Sequence, residues 1–337
     1  SMRILMTSIL CHSGLMTHVK DLAQYLVNQG VFVALAFKRV NFLDEEAKKR
    51  ILSELGGIPY VLYETTDELR QFLSKSECNL IHAHSHATFG SATDVSLELK
   101  IPLVVTLHSV FPWHRAYKQT LRIARQIIAV GPAQALSARG FLDKVVVIQN
   151  GVDTARFVPN EEWDVQEDQV HVLWYGRVDG RLTRGLHTLD KVAPFLPGTI
   201  KLAALGTAYP PPRCIPLTTW TDNPLPYLQK SHITFGHGRS LREAMSCGSI
   251  GMLLGHGYGG MVTDQCLEQD KLVLDAFPQY RLPRPRTSTI LRDIVSLVES
   301  SQIAHLRKES RLLALRHFDI ATMGQKVLAV YHEALNG

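Results

Sequence analysis

The sequence predicts an α/β chain of two doubly wound, parallel-sheet domains. Three observations carry that prediction. Short apolar runs of strand length alternate with stretches whose apolar residues recur at helical spacing. At 337 residues the chain exceeds one typical core and fits two domains of about 150 residues each. A polar, acidic segment at 159–169, holding Asn160, Glu161, Glu162, Asp164, Glu167 and Asp168, interrupts the alternation, which then restarts.

In the first half, strands are predicted at 3–7, 31–37, 79–83, 103–107, 126–130 and 145–148. Between the first two lies a helix over 18–29, with Val19, Leu22, Ala23 and Leu26 on one face and Gly30 at its C-terminal end. Beyond the acidic segment, strands are predicted at 170–175, 201–205, 232–235, 250–254 and 272–273, and a long helix at 320–335 closes the chain. The expected domains are residues 1–157, completed by residues 320–337, and residues 165–318. In such sheets ligands bind outside the carboxyl ends of the strands.

With 45% hydrophobic and 20% charged residues, the composition excludes wholesale disorder and coiled coil. The net charge of +5 permits an anionic ligand or membrane surface without calling for nucleic acid. The five cysteines are widely spread with no Cys-x-x-Cys pair, which argues against a disulfide framework or zinc ribbon and for a reducing compartment. No apolar run reaches bilayer length and no signal segment precedes Met2-Arg3-Ile4-Leu5, so a cytoplasmic location is expected.

Three segments suggest chemistry. The small-residue loop from Ser8 to His18, around Gly14, joins the first strand to a helix N-terminus, where oriented N–H groups meet anions; it is equally a plain βα turn. Arg177 and Arg184 follow the first strand of the second domain, where they could clamp a diphosphate or lie in a solvated loop. Phe235-Gly236-His237-Gly238-Arg239-Ser240 runs from a strand into a helix expected to start near Ser240. Its glycines would leave backbone N–H groups pointing into the crevice beside Arg239. Glu243, in what reads as the first turn, could accept two ribose hydroxyls or merely favour the helix dipole.

These residues carry a resemblance. The strand ending in His108, the segment Asn150-Gly151-Val152-Asp153 with Phe157, then Tyr175-Gly176-Arg177, Arg184-Gly185 and Glu243-Ala244-Met245-Ser246-Cys247-Gly248 are similar, in order and spacing, to the signatures of family 4 glycosyltransferases. The resemblance spans essentially the whole chain. It implies the GT-B fold, two Rossmann-like domains facing across a cleft, and a glycosyltransferase that uses a nucleoside diphosphate sugar donor, most commonly a UDP-sugar, with retention. The acceptor would be a hydroxyl on a glycan, lipid-linked or small molecule. Carried over, Arg177 and Arg184 hold the diphosphate and Glu243 the ribose, His108 lies near the transferred sugar, and Gly14 is in the loop that closes on the phosphates. Phe235 stands where the family usually has a sugar-contacting Glu, and Arg184 replaces a Lys two positions earlier. Donor-sugar recognition is therefore expected from Gly236, Gly238 and Arg239. A nucleotide-sugar hydrolase or epimerase on the same scaffold, or a lapsed nucleotide-binding subunit, are the rival readings.

No metal and no cofactor are expected at the donor site, because the sequence holds no Asp-x-Asp and arginines can neutralise the diphosphate instead. His82, His84 and His86 alternate, so they are expected on one face, lining the crevice beside His108 rather than binding zinc. Trp113, Tyr117 and Leu121 interleave with Arg115, Lys118, Arg122 and Arg125 in a helical pattern, best read as a solvated face and alternatively as a peripheral contact with an anionic membrane.

Overall fold

A computed structural model of the chain describes residues 1–40, 43–163, 167–219, 221–268, 274–275 and 280–337. It divides into two units, Ser1–Asn150 with Ile320–Gly337, and Gly151–Asp319.

The first unit is built on seven parallel strands: β1 (Arg3–Ile9), β2 (Phe32–Lys38), β3 (Tyr60–Tyr63), β4 (Leu80–Ala83), β5 (Leu103–Leu107), β6 (Gln126–Ala129) and β7 (Val145–Val147), in the order β3-β2-β1-β4-β5-β6-β7. Alternate residues of β1 feed opposite faces: Ile4 and Met6 enter one apolar core and Leu5 the other. The helix Gly14–Asn28 covers the first face with Val19, Leu22, Ala23 and Leu26, four positions earlier in onset than expected, because Ser13 caps it by accepting a bond from the Leu15 N–H. Gly30 follows this helix in the left-handed region (φ +82°), while the N–H groups of Gly30 and Val31 close on Val27 and Leu26. The helix Ile320–Asn336 packs on the same face through Met323, Val327, Val330 and Tyr331, with Gly324 against the Tyr25 ring. The strand order reverses between β1 and β4, so the carboxyl ends of these two strands flank the switch point of the sheet.

The second unit holds six strands: β8 (Val170–Asp179), β9 (Ile200–Tyr209), β10 (Leu217–Thr218), β11 (Ile233–Gly236), β12 (Ile250–Leu254) and β13 (Tyr258–Met261), in the order β10-β9-β8-β11-β12-β13. One expectation needs correction. The sheet is not wholly parallel, since β13 runs antiparallel to β12 at one edge. The expected strand at 272–273 lies outside the described residues. Moreover β8 and β9 pair along all ten of their residues, whereas β11 reaches only Tyr175 on β8, so Gly176–Asp179 and Gly206–Tyr209 form a ribbon beyond the sheet. The ribbon requires glycine at 206, where φ is +125° and a methyl group would strike the Gly176 carbonyl oxygen.

The Gly151-Val152-Asp153 segment is structural. Val152 donates its N–H to the Phe318 carbonyl, Asp153 accepts the N–H groups of Ala155 and Arg156, and Phe157 is buried. Two arginines of the helix Ile303–His317 fasten this region. Arg307, almost wholly buried, donates to the carbonyls of Gly248, Trp163 and Gln229, and Arg311 donates to those of Thr154, Phe157 and Ser246.

Candidate functional site

In the second unit, the residues expected to meet a nucleotide gather at the carboxyl ends of β8 and β11. The helix after β11 spans Gly238–Ser246, starting two residues before Ser240, with His237 at the N-cap position. Consequently Glu243 lies in the second turn rather than the first, and the helix-dipole account of it is removed. Its carboxylate is nearly buried. Oε1 accepts a bond from the Tyr175 hydroxyl at 2.8 Å, and Oε2 stands 3.6 Å from Arg239 Nε one turn earlier. Burial, and then the adjoining Glu243 charge, push the Tyr175 hydroxyl above its ordinary range, so Tyr175 is a neutral donor at physiological pH.

The glycines around this helix have reasons within the fold. A methyl group on Gly236 would lie 2.6 Å from the Tyr175 carbonyl oxygen, and Gly238 has φ +59° with Asp275 Oδ1 3.2 Å from the position of its absent Cβ. The Gly238 N–H, expected to point into a crevice, is donated to the Leu274 carbonyl. Phe235 is fully buried and stacked on Tyr258 at 6.4 Å, so it is a core residue of β11. Arg242 is buried beneath the helix with its guanidinium 5.8 Å from the Phe318 ring.

Arg177 is exposed on the ribbon, paired with Thr207, and so belongs to a strand rather than to a loop. Arg184 is exposed in the first turn of the helix Thr183–Val192. Its neighbour Gly185 lets that helix approach β12: a methyl group there would lie 2.5 Å from the Gly255 carbonyl oxygen.

In the first unit, Gly14 is the first residue of its helix, and a methyl group on it would meet no atom within 4 Å among the described residues. His108 follows β5 and His84 follows β4, with His84 Nδ1 3.3 Å from His108 Nε2. His18, on the helix Gly14–Asn28, closes the group: its ring centroid lies 4.9 Å from that of His108 and 5.4 Å from that of His84. Sequence reasoning missed His18, whose apolar neighbours mark it only as part of a buried helix face. His82 is fixed between the Tyr331 hydroxyl and Thr106 Oγ1, and its ring centroid lies 3.9 Å from that of His84, the planes tilted by 37°. Burial holds His82, His84 and His108 neutral, pulling His82 down to about 3 and His108 to about 4. The three alternating histidines do not share one surface. His86 sits in a short 3₁₀ turn and turns instead toward Trp113 and Tyr117.

The basic stretch after residue 112 forms two short helices, Trp113–Ala116 and Lys118–Ile123, rather than one. Trp113 and Leu121 are buried in the core of the first unit while Arg115, Lys118 and Arg122 are exposed, so the apolar side of the pattern is already occupied by protein. Among the described residues no helix is long and apolar enough to cross a membrane.

Two α/β units, each with a switch-point sheet and with candidate binding residues at strand carboxyl ends, are the construction of GT-B glycosyltransferases, and this is the fold of the chain. Residues 12–156 match the model of Glycosyltransferase Family 4. Anabaena Alr3699/HepE in complex with UDP is similar over 97% of this chain and 99% of its own, at TM-score 0.71 and 16% identity. The same protein in complex with UDP-glucose matches over 98% and 99%, at TM-score 0.68 and 15% identity. A glycosyltransferase from Rickettsia africae ESF-5 matches over 99% of both chains, at TM-score 0.73 and 13% identity. No curated protein matches by sequence.

Proposed function

We propose that the chain transfers a sugar, with retention, from a uridine diphosphate donor to a hydroxyl of an acceptor. The observation that carries this reading is the nearly buried Glu243 carboxylate, held on one oxygen by Tyr175 and faced on the other by Arg239. A nearly buried carboxylate, oriented by a neutral hydroxyl and faced by a guanidinium, is the kind of acceptor that ribose hydroxyls meet. That HepE binds UDP and UDP-glucose supports the choice of nucleotide.

Breaking the glycosidic bond loads negative charge onto the leaving diphosphate. Arg177 and Arg184 are the cations we assign to that charge, with Arg239 toward the donor sugar or the β-phosphate. We assign Gly14 to the donor phosphates and His108 to the transferred sugar. In the retaining course the departing phosphate oxygen takes the acceptor proton while the acceptor oxygen bonds to the anomeric carbon, so no protein base is needed.

The test is a panel of nucleotide sugars with UDP release followed with and without hydroxyl acceptors. Acceptor-dependent release with a new glycosidic product supports transfer. Release without acceptor would make the chain a hydrolase, isomerised donor would make it an epimerase, and binding without turnover would make it a lapsed subunit.

A further inference from the structure

We propose that the surface built from residues 111–144 of the first unit docks on an anionic lipid bilayer. Between Ser109 and Asn150 stand Arg115, Lys118, Arg122, Arg125, Arg139 and Lys144 against a single acid, Asp143. That excess of +5 equals the net charge of the whole chain, so the remaining residues carry equal numbers of either sign. Arg115, Lys118 and Arg122 are exposed, and their side chains form no ion pair among the described residues. Their charge is directed outward rather than into the fold.

Three large apolar side chains project from the same segments: Phe111 is 47% exposed, Leu136 67% and Leu142 49%. Phe111 precedes the helix Trp113–Ala116, Leu136 ends the helix Pro132–Leu136, and Leu142 opens a 3₁₀ turn at Leu142–Lys144. Hydrogen bonds tie these segments to one another. His114 donates its N–H to the Ser137 carbonyl, Arg139 Nε donates to His114 Nε2 at 3.2 Å, and Lys144 Nζ donates to the carbonyls of Arg122 and Ala124. Beneath them Trp113 and Leu121 are buried in the core, so tips and cations ride on a fixed base. The apolar anchors are therefore not the Trp113 and Leu121 of the sequence pattern. They are residues that folding brings beside its basic face.

The combination selects the partner. Anionic headgroups answer guanidinium and ammonium groups, and the acyl boundary just below them takes aliphatic and aromatic tips. A phosphodiester backbone offers nothing to Leu136 and Leu142, and a protein partner calls for one continuous apolar patch rather than separate tips interspersed with cations. The docking face is independent of the sugar-transfer reading.

The test is co-sedimentation of the full chain with vesicles of phosphatidylcholine alone or mixed with phosphatidylglycerol. Binding is expected to the mixed vesicles only, and to be lost in about 1 M salt, where charges are screened within about 3 Å. Arg115→Glu, Lys118→Glu and Arg122→Glu combined should weaken it by about 100-fold or more, since each basic side chain near an anionic leaflet contributes about 5-fold. Leu136→Ser with Leu142→Ser should weaken it by about 10-fold, because the tips no longer enter the acyl boundary. The same charge reversal at exposed lysines of the second unit, Lys191→Glu, Lys201→Glu and Lys308→Glu, should leave it nearly unchanged. Circular dichroism would verify that each variant is folded, and the lipid and salt dependence of the wild type stands without them. Equal binding to both vesicle types, no binding to either, binding kept in the basic-face variant, or an equal loss in the second-unit variant would overturn the proposal. So would duplex DNA binding as tight as vesicle binding and indifferent to the two leucines, which would give the face to nucleic acid.

Discussion

Replacing Glu243 by Gln separates a ribose ligand from a merely structural carboxylate. A carboxylate offers about four lone-pair sites. In the structure Tyr175 takes one on Oε1 at 2.8 Å and Arg239 faces Oε2 from 3.6 Å. Glutamine preserves shape and one oxygen. If that oxygen keeps the Tyr175 bond, the amide NH₂ is turned toward Arg239 and toward any incoming hydroxyl, donor against donor. Hydrogen bonds to a charged group contribute about 1.5–3 kcal/mol each, so losing one weakens UDP by a factor of about 10 to 150. Calorimetric titration of wild type and variant with UDP and 2′-deoxy-UDP forms a four-way cycle. Wild type should prefer UDP, and Glu243→Gln should lose most of that preference while binding 2′-deoxy-UDP almost as wild type does. Equal binding of the two nucleotides by wild type, or an equal loss on both in the variant, would refute the assignment.

If Arg177 holds the diphosphate as proposed, Arg177→Ala should weaken UDP by about 10-fold or more and leave uridine unaffected; calorimetry with both ligands reads this. Gly206→Ala should cost about 3 kcal/mol or more in urea denaturation, since alanine must adopt φ +125° and overlap the Gly176 carbonyl oxygen. His82 and His108 titrate near 6.5 in the unfolded chain but at about 3 and about 4 in the folded one. The unfolded chain thus binds more protons between these values, and stability falls as the pH is lowered from 6.5 through that window. Ring NMR signals of both histidines should remain those of neutral imidazole at pH 5, and midpoints near 6.5 would contradict the burial argument.

The parts of the fold legible in the sequence are those where burial is two-sided. β1, β2, β5 and β12 read as largely apolar runs because both faces of the sheets are buried. β3 is a half-exposed edge of four residues, and β13 reads Tyr-Gly-Gly-Met, so neither gives a run or an alternation to detect. The lengths of β8 and β9 were hidden by Gly176, Gly206 and Arg177, which read as turn residues but build a ribbon. Motif spacing led to Glu243 and Arg239, yet Tyr175, which orients Glu243, is 68 positions away and is joined to it only by folding. Phe235 shows the converse: it stands where the resemblance has a sugar-contacting Glu, and it shares a buried core with Ile233. His18 reads as a helix-face residue until the ends of β4 and β5 bring His84 and His108 to it.

The helix Ile320–Asn336 sets an order on biosynthesis. It fills one face of the first unit, where Tyr331 bonds His82 and Arg125 reaches the Ala334 carbonyl, yet the whole second unit is encoded ahead of it. During translation the sheet of the first unit emerges early and waits, without the cover that Met323, Val327, Val330 and Tyr331 provide, while residues 151–319 are made. The nascent chain therefore carries an open apolar face for the duration of an entire domain's synthesis. That interval is when it is most exposed to aggregation and to holdase chaperones, and slow codons within the last helix would prolong it.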